Sequence, residues 1–144
     1  MSRRLALAPV LFVLAALVLG ACGTSPEDKA YSDGKSLGSA VKQLANATDL
    51  SQAQTAIGNI QSAAGKVHSE TRDHIGNQAK VQADTVRTAV ANFQKGVAQG
   101  STDAALTSLQ GSVQDLRSQA SSFEDQNDSI ANSFWRGYND GYDD

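Results

Sequence analysis

Apolar residues spaced three and four apart, with no alternating run rich in Val, Ile and aromatics, confine this chain to helices. The cleanest stripe is Leu106, Leu109, Val113, Leu116, Ala120, Phe123, Asn127, Ile130, Phe134, Gly137 and Gly141, alternating steps of three and four throughout. That is a heptad seam, and Asn127 is the kind of polar member that fixes register at some cost in stability. A longer stripe runs through Leu50, Ala53, Ile57, Ile60, Ala64, Val67, Thr71, Ile75, Ala79, Gln82, Val86, Val90, Phe93 and Val97. Its mean step is about 3.6 residues, the period of a straight helix. Read without interruption, residues 50–98 form one helix roughly 70 Å long. The polar stretch HSETRDHIG inside it offers a fresh start at Ser69 or Thr71, so a break near residues 68–73 stays open.

Punctuation supports the same reading. Ser25-Pro26-Glu27-Asp28 is a helix start, with Ser as N-cap, Pro in the first turn and acids beside the helix dipole. From it descends the stripe Ala30, Gly34, Leu37, Val41, Leu44. Thr48-Asp49 caps the second helix, Gly100 ends it, and Ser101-Thr102-Asp103 opens the third. Short connections make neighbours antiparallel. The expectation is an all-α fold: an elongated antiparallel three-helix bundle built on a long helical hairpin. Composition agrees. From residue 22 onward there are 42 apolar residues, of which 17 are Ala and one is Cys, leaving 24 larger side chains. Alanine has little area to bury, so slender helices meeting along narrow seams suit this chain better than a wide globule.

The amino-terminal segment has a different character. Arg3 and Arg4 precede an uncharged run, Leu5 to Leu19, that ends in Leu19-Gly20-Ala21-Cys22, the only cysteine. A basic start, a short apolar run and small residues before the cut are the parts of an export signal. The four-residue end resembles the lipobox of bacterial lipoproteins. The resemblance implies diacylglyceryl transfer to Cys22, cleavage before it, and a protein held by its acyl chains on the extracytoplasmic face of a cell membrane. The expected organisation is therefore a signal peptide over 1–21, a lipidated tether over 22–25, a helical domain over 26–140 and an acidic tail over 141–144.

The remaining residues exclude more functions than they suggest. Residues 124–144 hold six acids against Arg136 alone, the rest of the exported part is balanced, and without a basic patch nucleic acid is no partner. No nucleophile elbow, phosphate loop or paired-cysteine metal site occurs. Glu70 and His74 share a helix face, but two ligands do not make a zinc site. The expectation is a non-catalytic protein without cofactor or metal. Its tasks are interaction with an envelope protein or spacing, with self-association along the thin seam as a further option. A carrier of a small apolar ligand between the helices is the alternative.

Two features ask for an explanation. Five of the seven aromatics from residue 22 onward are Tyr31, Phe134, Trp135, Tyr138 and Tyr142. Trp135 and Tyr142 fall off the seam. Tyr31, Trp135, Arg136, Tyr138 and Tyr142 thus form either a partner-binding patch or a plug of rings in a core made of alanine. Gly34 and Gly38 match Gly137 and Gly141 in spacing, at about 1 kcal/mol per helical glycine relative to alanine. They mark either a close crossing, with Gly58 at the same level, or a frayed carboxyl end.

Overall fold

The computed structural model describes residues 25–144. The expected signal peptide, Cys22 and the tether up to residue 24 lie outside the described residues. The described chain is all-helical, in five helices rather than three: α1 (Pro26–Ala45), α2 (Leu50–Gly65), α3 (Ser69–Ala98), α4 (Thr102–Phe123) and α5 (Ser129–Asp143). None of them is long and apolar enough to cross a membrane.

Local chemistry sets the ends. The Ser25 hydroxyl accepts from the Asp28 amide at 3.2 Å, and the Asp49 carboxylate accepts from that of Gln52 at 2.8 Å. Each relieves an amide that the helix cannot satisfy itself. Gly100, the only positive-φ residue among those described, closes α3 at φ 76°. The Ser101 amide reaches back to the Gly96 carbonyl and that of Gly100 to Val97, a Schellman turn that doubles the chain back into α4.

Of the two readings of residues 50–98, a single helix or a break near 68–73, the structure has the break: the helix is interrupted at Lys66, Val67 and His68 and starts afresh at Ser69. Its stripe carries on in phase, so periodicity alone does not register the bend. The bend is fixed by polar groups: Arg72 donates to the Gly65 carbonyl at 2.8 Å, and His68 binds Asp33 of α1 through its backbone amide and its Nδ1. The seam read through Asn127 is likewise interrupted. Asn127 is exposed in the 124–128 connector, where Asp128 caps α5 by accepting from the Ile130 and Ala131 amides at 3.1 Å each. Asp and Asn favour such side-chain to backbone bonds over helix interior, which is why the heptad stops being a helix there.

Successive helices run up and down. Asn59 binds Gln43 between α2 and α1, Gln82 reaches the Leu116 carbonyl between α3 and α4, and Asn139 reaches the Ala120 carbonyl between α5 and α4. The most extensive contact joins the first and last helices, which are parallel. The four glycines explain it. A Cβ on Gly34 or Gly38 would overlap the carbonyl of Phe134 or Tyr138, and one on Gly137 or Gly141 would overlap that of Tyr31 or Lys35. The pattern is reciprocal: each helix offers two glycines to two carbonyls of the other, at matching positions. Close approach of this kind brings Cα–H groups onto carbonyl oxygens and maximises backbone contact. Gly58 has nothing within 4 Å of the position a Cβ would take. The crossing therefore joins two helices and excludes α2. Residues 141–143, expected as tail, continue α5, and Gly141 is buried in the crossing.

Candidate functional site

Where α1 and α5 close on each other, α2 and α3 diverge. They leave the bend at Val67 as two arms that hardly touch. Between the arms, floored by α1 and α5, lies a groove with a volume of about 560 Å³. One wall is Ile60, Gln61 and Ala64 of α2; the other is the α3 face carrying Ala79, Ala83, Val86 and Val90. Leu37 and Val41 of α1 and Phe134, Trp135 and Tyr138 of α5 form the floor. The folded-back stripe explains this composition, since both arms turn the same apolar pattern inward. Among the described residues no carboxylate lines the groove, while Arg72 and Arg87 do.

The floor is rigid. Phe134, Trp135 and Tyr138 are fully buried, and the Phe134 and Trp135 rings meet edge to face at 4.8 Å. Trp135 Nε1 donates to Gln78 Oε1 at 2.7 Å, and Gln78 in turn bonds Gln126. The Tyr138 hydroxyl donates to Gln82 Oε1 at 3.1 Å, while Gln82 Nε2 donates to the Leu116 carbonyl and to Gln119. Each polar tip on these rings thus has a partner, as burial requires. Burial pushes the Tyr138 hydroxyl far above the ordinary tyrosine value, so it stays a donor to Gln82.

The aromatic group expected from sequence is split. Trp135 and Tyr138 are inside, so Trp135 is buried although it falls off the seam: α5 touches α1, α3 and α4 and is covered on several sides. Tyr31 and Arg136 stay together at the surface, the guanidinium 5.7 Å from the ring centroid, and the Tyr31 hydroxyl donates to Asp140 at 2.6 Å. That hydrogen bond, ahead of partial burial, raises the Tyr31 pKa. Tyr142 lies elsewhere, under Arg117 at 4.5 Å. The rings of Phe134, Trp135 and Tyr138 are the plug of large side chains, and they also form the base of the groove.

Both histidines serve the joints. His68 Nδ1 lies 2.7 Å from Asp33, and His74 Nδ1 lies 2.7 Å from Asp128. Glu70 shares the His74 face but the imidazole turns to Asp128, and no cluster of three metal-ligating side chains forms among the described residues. Sequence reasoning missed the groove walls, because Ala79, Val86 and Val90 read as seam positions of one straight helix. The available signal was the polar interruption at 66–69, which makes two apolar arms of one stripe. No family model matches this chain, and no curated protein and no solved structure matches it significantly.

Proposed function

We propose that this chain is a lipid-anchored, extracytoplasmic, non-catalytic protein whose helical domain receives an apolar guest in the groove between α2 and α3. The observation that carries this reading is the groove itself: about 560 Å³, within the range of ligand sites, apolar in its walls and floor, with a few fixed polar groups. The scarcity of large apolar residues argues against such a pocket on composition alone. Three rings from α5 supply the bulk that the alanine-rich walls lack. The anchor rests on Leu19-Gly20-Ala21-Cys22 and would hold the groove beside a membrane, a source of apolar molecules.

Trp135 is the only tryptophan and lines the groove, so its emission reports occupancy. Titration of the full chain carrying Cys22→Ser, which has no acyl group of its own to compete, with an uncharged apolar dye should give a saturable change. Ala83 lines the groove yet is exposed, so Ala83→Phe fills the space without disturbing the core and should abolish that change. An identical titration in both proteins refutes the binding reading. Mass spectrometry of the native protein tests the anchor: Met1 retained beside a free Cys22 thiol refutes it.

A further inference from the structure

Three properties of the groove narrow its guest. Its two cations differ in place and in partners. Arg72, at the bend, donates through one nitrogen to the Gly65 and Ala64 carbonyls, at 2.8 and 3.3 Å. Arg87, farther up α3, is 77% exposed and, among the described residues, pairs with Asp84 through one nitrogen at 3.2 Å. A guanidinium carries five N–H donors in a planar fork, so Arg87 can still take a carboxylate side-on. The second property is polarity along the groove. At one end Ile75, Phe134 and Trp135 are buried, whereas at the Arg87 level the lining residues Ala83, Arg87 and Ala91 are exposed. The third is length: Arg87 to Ile75 is roughly 18 Å of helix at about 1.5 Å per residue. Lining residues continue past Arg87 to Val90, Ala91 and Gln94, so the groove is longer than this span.

We propose that the guest is a long-chain fatty acid, with its carboxylate on Arg87 and its chain laid along α3 toward Ile75 and Trp135. This rests on the apolar-guest reading above and adds the ligand class and its orientation. It makes Arg87 the residue that distinguishes an acid from a neutral chain of equal length, while the walls measure chain length.

The test uses the full chain with Cys22→Ser, titrated with hexadecanoate, hexadecanol and decanoate at neutral pH while Trp135 emission is followed. Hexadecanoate should bind most tightly, with decanoate weaker by at least tenfold. Arg87→Gln should weaken hexadecanoate about tenfold, the scale of one charge-assisted contact, and leave hexadecanol unchanged. Ala83→Phe should abolish both. Thermal melting of each variant confirms that the fold is retained. If hexadecanol binds as tightly as hexadecanoate, or Arg87→Gln weakens both equally, the carboxylate assignment is overturned while the apolar-guest reading stands. If the uncharged dye binds but no straight-chain acid does, or if a response appears only with two-chain phospholipid vesicles, the fatty-acid assignment is overturned. If no apolar compound alters the emission, both readings fall together.

Discussion

The α1–α5 crossing and the α2–α3 splay are made from the same small residues and end in opposite states. In the crossing, Gly34, Gly38, Gly137 and Gly141 let two backbones meet, and no side chain comes between them. In the splay, Gly58, Gly65 and Gly76 have nothing within 4 Å of a Cβ position, and Ala64, Ala79 and Ala83 line open space. Small side chains therefore do not by themselves mean close packing. What differs is registration. The crossing matches each glycine with a carbonyl on the facing helix, whereas the arms of the bend have no matching set and hardly touch. One region is closed by backbone contact, and the other stays open above a floor of aromatic rings.

The most direct way to break this contrast is to add a methyl group to each side of it. In Gly38→Ala the new carbon sits 2.8 Å from the Tyr138 carbonyl carbon, and backbone cannot move aside cheaply. The gain in helix propensity is outweighed, and stability should fall by about 2 kcal/mol or more, by analogy with overpacked cores. Gly137→Leu should prevent folding. Gly58→Ala, on an exposed helix surface, should instead raise stability by roughly 0.5–1 kcal/mol. Urea denaturation of the three variants measures both signs, and a neutral Gly38→Ala would mean that the crossing is not closed.

The floor comes next in size. Gln82→Leu leaves the buried Tyr138 hydroxyl without its acceptor, at a cost of about 1–3 kcal/mol. Combined with Tyr138→Phe, part of that loss should return, because the stranded hydroxyl is removed; equal losses in single and double variants would argue against the hydrogen bond. Smaller still is Ala83→Phe, which should change stability by no more than about 0.5 kcal/mol, as an exposed substitution does. A large loss there would show that the arms pack together rather than stand apart.

The sequence shows how far such a contrast can be foreseen. Helical class, the Ser25 and Gly100 boundaries and the matched glycine pairs were all legible, because each depends on local backbone chemistry or on spacing along one helix. Of the two breaks, the one at 66–68 was legible only as an alternative, through the polar stretch after Val67 and its fresh start at Ser69, and the one at 124–128 was not. Both stripes continue in phase across 66–68 and 124–128, and hydrophobic period reports which face is apolar without reporting whether the axis bends. Trp135 was misplaced for a related reason. A seam describes one partner, but α5 has three, so a residue off the seam is covered as thoroughly as one on it. The groove depends on both facts, a bent stripe and an over-surrounded last helix, and neither is a property of a single segment.

The smallest expected effect concerns the clamp between α3 and α5, beside the floor. The hydrogen bond to Asp128 raises the His74 pKa, and the bond from His74, with the cap bonds of Ala131 and Ile130, lowers that of Asp128. A raised histidine contributes stability that is fully present below its unfolded value and is lost as pH rises through its folded value. A lowered aspartate contributes stability that is present above its unfolded value and is lost as pH falls through its folded value. The clamp is therefore strongest between the depressed Asp128 value and the elevated His74 value, and both groups are solvent-screened enough to keep it weak. His74→Gln should melt slightly below the parent in mildly acidic solution. The two melting curves should converge above the ordinary histidine range, because His74 is then neutral in the parent as well. On the acid side both proteins should lose stability together once Asp128 is protonated, because the α5 cap fails in each. A gap between them that persists or widens in alkaline solution would mean that His74 holds α5 by packing rather than by charge, and the α3–α5 joint would then resemble the glycine crossing more than the hinge of a groove.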